Sequence, residues 1–424
     1  MMKKILLPVL MLFPAFSFAA PASSEPPLEL SWKDCVRAAL DNNPGLKARK
    51  LAIEQYKYLY QAGFNAYLPS VNISNSVTRS ATDPSSPSNK VSAGVSASEP
   101  IFNLKALSSI RNSKISYEKA DADYRAESAS LRQALYSAFV NLVYAQENVA
   151  TQKKILVIRG NNAQLVKLDY DSGTESRGNM MYSAALAELS KSNVLQAERS
   201  LDSARLDLLN GMGFSELRPI VAIASLTAPD YTLDAENLKK IIDNIPQVVS
   251  QEKGVESLKE HMLSAKYDLY PTLSASQSVG WSGSSEFPAT RGWSLGLSLN
   301  LPIFSSGITY YANNSKAAGL ALKSGEASLA DMKNSLDSSI RSGYNDFLNA
   351  KDNALVNVGI LDADEERYKE SQIKYQAGKM SFIDLETTEQ SLVDAQLNQL
   401  SYFKKANTSK ISLESLIGIG LEGE

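Results

Sequence analysis

The sequence predicts a mixed, mainly α-helical fold in which long helical hairpins are attached to a small β-sheet. Two proline-free stretches, 103–169 and 307–377, are 67 and 71 residues long and carry apolar residues at sevenfold spacing. Ahead of each stretch lie segments in which apolar residues alternate with small polar ones, as in half-buried strands. This order of features occurs twice along the chain, so each half is expected to contribute one hairpin and two strands.

The composition argues against most kinds of catalysis. The 424 residues are 44% hydrophobic and 21% charged, which excludes wholesale disorder. Basic and acidic residues number 43 and 46, so no basic surface for nucleic acid is expected. There is a single His, His261, and a single Cys, Cys35, too few for zinc cages, disulfide scaffolds or haem ligation. We therefore expect no enzyme activity, no metal or other cofactor, and no nucleic-acid partner.

The first residues predict a secretory signal peptide over residues 1–20. Lys3 and Lys4 precede an uncharged run over 5–20, and small residues surround the expected cleavage site. A membrane anchor is the alternative, but the run is shorter than the roughly 20 residues of a spanning helix. Since no other long apolar run follows, a mature chain that crosses a membrane would have to do so with strands.

Five ordered matches indicate an internal duplication. Asn43-Pro44, Tyr67-Leu68-Pro69 and Pro100-Ile101-Phe102 each find a counterpart 202 residues later, and two glycine-containing segments recur at shifts of 205 and 207. Chance recurrence of common dipeptides does not readily keep this order. The sequence therefore predicts two structural repeats, 28–216 and 232–421, joined by a linker over 217–231.

Each repeat reads as a helix, two strands, a long helix and a returning helix. In the first repeat a helical pattern over 44–67 stops before Pro69, and alternating segments over 71–77 and 91–97 flank a polar loop. The second repeat alternates over 273–281 and 293–301. The long helices end at Tyr170-x-x-Gly173 and Tyr375-x-x-Gly378, and helices over 179–209 and 384–416 return.

The alternating strands fit either a soluble sandwich or a transmembrane barrel. Both have one apolar and one polar face, but strands of about 10 residues suit a tilted crossing of a bilayer. Trp281 and Trp293 fall near strand ends, where interfacial aromatic girdles lie. Four strands cannot close a barrel, so chains would share one. The Ser, Gly and Asn on the polar face would not fill an eight-stranded core, which favours three chains and twelve strands.

Several segments resemble the TolC family of outer-membrane efflux and secretion channels. They are the run from Leu30 to Pro44, Leu68-Pro69-Ser70, the paired Pro-Ile-Phe motifs, and Tyr375-x-x-Gly378-x-x-Ser381-x-x-Asp384. The resemblance covers nearly all of the mature chain. It implies a homotrimer in which the hairpins form a trimeric α-barrel in the periplasm, continuous with a 12-stranded β-barrel in the outer membrane of a Gram-negative bacterium. It also implies a periplasmic adaptor and an inner-membrane transporter as partners of a passive channel.

The resemblance also implies roles for residues at the helical tips. Asp384 matches an acidic position of the family's pore constriction, while Thr387 and Asn179 stand where further acids would be expected and Glu386 lies beside the first of these. Tyr375 matches a gating tyrosine, but Met380 replaces the gating arginine. The remaining candidates for gating or adaptor docking are Tyr170, Gly173, Gly378 and Ser381. On the bare sequence, Ser381-x-x-Asp384 is equally a helix-capping signature.

These patterns leave three functions open. The leading hypothesis is the exit channel of a tripartite efflux pump or a type I secretion system, and the sequence does not choose between small molecules and proteins. A secreted structural or adhesive coiled-coil protein is the alternative from a different class. A secreted enzyme is disfavoured by the scarcity of His and Cys.

Overall fold

The computed structural model describes residues 28–423 except 82–86, 217, 235, 285–288, 304 and 308. The predicted signal peptide over 1–20 lies outside these residues. Within the described ranges, no helix has both the length and the hydropathy that crossing a bilayer requires.

The chain runs through the same order of elements in both halves, two helices, two strands and two long helices. The first half contains β1 (Leu28–Leu30), α1 (Trp32–Asn42), α2 (Pro44–Gly63), β2 (Ser70–Ser80), β3 (Ser88–Phe102), α3 (Leu104–Asp171) and α4 (Arg177–Met212). The second half contains β4 (Ile220–Ala222), α5 (Leu238–Asn244), α6 (Pro246–Tyr267), β5 (Thr272–Gly283), β6 (Thr290–Asn300), α7 (Tyr310–Gln376) and α8 (Phe382–Leu416).

Local capping explains where several helices begin. Ser31 and Asp34 form a reciprocal capping box at the start of α1. The side chain of Asn43 accepts from the Leu46 N–H at 3.1 Å, and Pro44 occupies the first position of α2. Before α3, Asn103 accepts from the Ala106 N–H at 3.2 Å.

The helix predicted over 44–67 is shorter in the structure. It ends at Gly63, and Phe64–Tyr67 form a 3-10 turn. Leu68 is extended, with φ −91° and ψ 151°, because the following Pro69 disfavours helical backbone at that position. The Tyr67 hydroxyl donates to the Asn103 carbonyl, which attaches the turn to the start of α3.

The four long helices pack as one layer in the order α4, α3, α8, α7. With 68 residues, α3 is about 100 Å long. The two inner helices are joined by buried ion pairs, Arg132 with Glu414 and Arg159 with Glu389. Each of the two outer helices packs mainly along one long helix, α4 on α3 and α7 on α8, while α4 also contacts α1 and α7 also contacts α5 and α6.

The segment predicted as a linker crosses the helical layer as a packed strap, here residues 218–231. Its β4 pairs in parallel with β1, and Ile220 is completely buried in a core shared with Leu135, Leu142 and Leu208. Further along, Asn407 of α8 donates to the Thr227 carbonyl at 2.8 Å. The strap therefore contacts helices of both halves.

The four-stranded sheet has the order β2-β3-β5-β6, and all neighbours are antiparallel. One continuous row joins Ile73, Val95, Val279 and Trp293 on one face. The next row, on the other face, is Ser74, Gly94, Gly280 and Gly292. The predicted alternation of an apolar face with a small polar face is thus continuous across all four strands.

Candidate functional site

The same turn is built twice at the tips of the two hairpins. After α3, the Gly173 N–H donates to the Tyr170 carbonyl at 2.9 Å, and after α7 the Gly378 N–H donates to Tyr375 at 2.9 Å. Both glycines have positive φ, 82° and 70°, a conformation that other residues rarely adopt. Ser381, like Ser176 in the first hairpin, caps the returning helix.

Tyr375 joins the two tips through a carboxylate. Its hydroxyl donates to Oε2 of Glu175, in the turn of the first hairpin, at 3.2 Å. The other oxygen of Glu175 accepts from the Ser176 N–H and from Nδ2 of Asn179, each at 2.8 Å. Asn179, predicted from the family resemblance as a position in the constriction, is therefore held by Glu175.

Burial fixes Tyr375 in its protonated, donating form. The residue is 8% exposed and packs in an apolar cluster with Val166, Phe382 and Leu385. This burial, together with the carboxylates of Asp169 and Glu175, raises the pKa of the Tyr375 hydroxyl well above its ordinary value of 10.0. Tyr170, at the matching place in the first hairpin, is 36% exposed.

Asp384 lies in the first turn of α8, where its backbone N–H donates to Ser381 Oγ at 3.2 Å. The Ser381 hydroxyl in turn donates to Asp384 Oδ2 at 2.7 Å. The carboxylate is exposed, so it is free to face solvent as well as to complete the cap. The helix cap that this motif predicts is formed in the structure, and the role of Asp384 in a pore constriction stays a prediction.

Glu386 and Thr387 are placed differently from Asp384. Glu386 is half-buried, and Tyr182 of α4 donates to its Oε1 at 3.5 Å. Thr387 is exposed and donates to the Ile383 carbonyl at 2.8 Å, within its own helix. Because two residues along a helix are rotated by about 200°, Asp384 and Glu386 leave α8 in nearly opposite directions.

A buried polar layer, which the sequence reasoning missed, joins all four long helices just behind the tips. Arg159 of α3 donates to Glu389 of α8 at 3.1 Å, to Gln390 at 2.7 Å and to Ser190 of α4 at 3.4 Å. Asn162 donates to the second oxygen of Glu389 and, at 2.8 Å, to the hydroxyl of Tyr368 on α7. We call this group, with Gln372, the tip polar layer.

Spacing alone could have pointed to this layer. Arg159 and Asn162 stand between Ile155 and Val166 at steps of four, three and four, which places them on the buried stripe of α3. Glu389 stands in the same way between Leu385 and Leu392. No comparable signal marks Glu175, which lies in a turn and meets Tyr375 only through the packing of the two hairpins.

The two tryptophans share one face of the sheet. Val279 pairs with Trp293 and Trp281 pairs with Arg291, so the two indoles lie on the same face in adjacent strands. They are 41% and 74% exposed. Among the described residues, no group of three or more His, Cys, Asp or Glu side chains is placed to hold a metal ion.

The chain thus combines long paired helical hairpins with a four-stranded sheet that has one exposed apolar face. A family model described as outer membrane efflux protein matches residues 35–213 and 237–419. These two matches cover most of the chain, so the chain belongs to the outer membrane efflux protein family, and it is a protein of the Gram-negative outer membrane.

Individual relatives agree with this assignment. The alkaline protease secretion protein AprF of Pseudomonas aeruginosa is 22% identical over 321 residues, which are 73% of this chain and 66%, just under two thirds, of AprF. The solved outer-membrane channel OprN has a TM-score of 0.81 at 18% identity, over 92% of this chain and 90% of OprN. The open state of the MtrE outer membrane channel of Neisseria gonorrhoeae has a TM-score of 0.79 at 20% identity, over 92% and 89%. These likenesses show the fold.

Proposed function

We propose that three copies of this chain form a passive exit channel that spans the outer membrane and extends into the periplasm. The observation that carries the proposal is the four-stranded sheet. Its edge strands, β2 and β6, have no further partner among the described strands of the chain, and its apolar face is exposed. An open sheet edge is not tolerated in lipid, and four strands are too few to close, so further copies must supply the neighbours.

A barrel formed by three copies gives each face of the sheet a suitable environment. Twelve strands leave a lumen, which the small polar side chains of the inner face can line without filling it. The outer face would then present residues such as Ile73, Leu295 and Leu297, which are 84%, 73% and 73% exposed in the single chain, to the hydrocarbon. Trp281 and Trp293 on that face fit the interfacial belt of such a barrel.

The outer helices support the same closure. On α4, Leu189 and Leu195 are 52% and 53% exposed, and on α7, Leu355 and Val356 are 52% and 64% exposed. Apolar side chains left exposed on both α4 and α7 fit a contact in which α4 of one copy packs against α7 of the next. A ring of three such layers forms the α-barrel.

The helical tips are the place where a periplasmic adaptor would dock, with an inner-membrane transporter supplying the energy. Tyr170, Gly173, Gly378 and Ser381 are exposed at the paired turns and offer that contact, while the buried Tyr375 supports the second turn from within. AprF is an alkaline protease secretion protein, and this likeness favours type I protein secretion for this chain over small-molecule efflux. Crosslinking of the native complex, followed by identification of the inner-membrane partner, separates these two substrate classes.

The channel is tested by fractionation and conductance. The protein should be recovered from the outer membrane in detergent as a trimer, and the trimer should conduct ions in a planar bilayer. A soluble monomer, or a trimer without conductance, would overturn the proposal in favour of a structural coiled-coil protein.

A further inference from the structure

The helical layer has two unlike faces, and the strap marks one of them. Gln146 of α3 exchanges two hydrogen bonds with the backbone of Ala222, at 2.8 and 3.1 Å. Arg205 of α4 donates from Nε to the Ile220 carbonyl at 3.1 Å. Residues on the same side of α3 and α4 form two ion pairs, Lys153 with Glu198 and Arg205 with Asp202, each at 2.9 Å.

The opposite face carries an open cleft of about 580 Å³ between α3 and α4, bounded by Lys404 of α8. Asn148 in the cleft lies two residues after Gln146, and Asp207 lies two residues after Arg205. Two residues along an α-helix turn by about 200°, so the cleft is on the side of the layer away from the strap.

Five amide side chains, which we call the amide belt, make up much of the lining of this cleft: Asn141, Asn148, Gln152, Asn193 and Gln196. Its cationic group, Lys404, has its Nζ 4.6 Å from the centre of the Tyr144 ring, where a cation–π contact holds it. Buried Oδ1 of Asn141 has no hydrogen-bond partner among the described residues. The charged residues of the cleft lining, Lys404 and Asp207, have opposite signs, so the cleft is polar without net charge, and it holds one buried acceptor without a described partner.

We propose, resting on the proposed trimeric channel, that the amide belt lines the conduit and contacts the backbone of an extended polypeptide in transit. When the helical layer closes into a tube, one of its faces must turn inward. The strap, β1 and α1 add bulk to one face, so the other face is the one that fits inside the tube. Each peptide unit offers one N–H donor and one C=O acceptor, and Asn and Gln side chains offer both partners. The belt contacts backbone without selecting side-chain charge.

The assignment of the face is tested with two single cysteines on α4, Gln196→Cys in the belt and Glu198→Cys on the strap side. Intact cells are treated with a polyethylene-glycol maleimide too large for the general diffusion pores of the outer membrane. Gln196→Cys should be labelled from outside through the channel, and Glu198→Cys only after the outer membrane is permeabilised. Native Cys35 gives little background, since it is fully buried and burial raises its pKa to about 12.

The ligand class is tested on purified trimers in a planar bilayer. An unstructured Gly/Ser-rich peptide, added as the probe, should interrupt the current of the wild type. Replacing Asn148 and Asn193 together by Leu should shorten these interruptions by roughly tenfold, as expected for the loss of two or more hydrogen bonds. Asp202→Asn, on the strap side, is the matched control and should leave their duration unchanged.

The outcomes separate the two proposals. A wild type that is not an outer-membrane trimer, or does not conduct, overturns the channel itself. A conducting trimer in which Glu198→Cys is labelled in intact cells and Gln196→Cys is not reverses the inner and outer faces and overturns the inference. Interruptions that are absent or insensitive to the Leu replacements overturn the polypeptide ligand.

Discussion

Arg159 and Glu389 form a buried ion pair between α3 of the first half and α8 of the second, with Nε 3.1 Å from Oε1. Their side chains are only 6% and 7% exposed. Two charges removed from water need partners on every side, and here Asn162, Ser190 and Gln390 provide them. The pair therefore fixes the register of the two hairpins close to the tips.

Glu389→Leu should destabilise the helical tips because it leaves the Arg159 guanidinium buried without its carboxylate. Breaking a buried pair from one side costs about 3–5 kcal/mol, whereas replacing both partners with apolar residues is often close to neutral. The melting temperature of the detergent-solubilised trimer should fall for Glu389→Leu and recover in Arg159→Leu/Glu389→Leu.

The exposed pair Lys191–Glu188 on α4 is the matched control, and replacing Glu188 by Leu should change stability by at most about 1 kcal/mol. Equal effects of the buried and exposed replacements would contradict the structural role given to Arg159 and Glu389.

Protonation of Glu389 should make stability depend on pH. Burial raises its pKa above the ordinary value of 4.5, despite the opposing effect of Arg159, while Glu386 on its own helix adds to the rise. Because the folded-state pKa is higher than the unfolded-state pKa, the folded state binds more protons in the pH window between these two values. This contribution to stability is fully present below pH 4.5 and is lost as the pH rises through the folded-state pKa.

The melting temperatures of the wild type and of Glu389→Gln are measured across this window, and the second is subtracted from the first. The subtraction removes the pH dependence that comes from the carboxylates common to both proteins. This difference in melting temperature should become smaller, or more negative, as the pH rises. A difference independent of pH would show that Glu389 is ionised in both the folded and the unfolded protein.

The elements of the hairpins could be predicted from sequence because their signals are local. Sevenfold spacing, the positive-φ glycines Gly173 and Gly378, and the Ser caps depend on neighbours within a few residues. The strap, Glu175 and the partner of Arg159 depend on segments between about 75 and 230 residues apart meeting in space. Side chains whose role comes from such distant partners carry no local pattern that reveals the partner.

Tyr375→Phe should loosen the junction of the two tips. It removes the hydroxyl that donates to Glu175 and leaves the ring in its apolar cluster. A hydrogen bond to a charged group contributes about 1.5–3 kcal/mol. Conductance of single trimers in a planar bilayer should therefore rise, because a tip held by fewer contacts opens more often.

Tyr170→Phe provides the matched control, since Tyr170 occupies the same turn position in the first hairpin and is more exposed. It should leave conductance unchanged. Conductance that is unaltered in Tyr375→Phe would mean that the contact with Glu175 does not restrain the tip.

Substitution of Asp384 tests whether the carboxylate at the start of α8 faces the conduit or only completes a helix cap. Three exposed carboxylates around a narrow opening would attract cations, so Asp384→Asn should lower cation selectivity and block by multivalent cations. Ser381→Ala is the matched variant, because it removes the capping hydroxyl at a cost of about 1 kcal/mol but keeps the charge. Reversal potentials in a salt gradient should shift for Asp384→Asn and not for Ser381→Ala. Unchanged selectivity and block in Asp384→Asn would leave Asp384 as a capping residue.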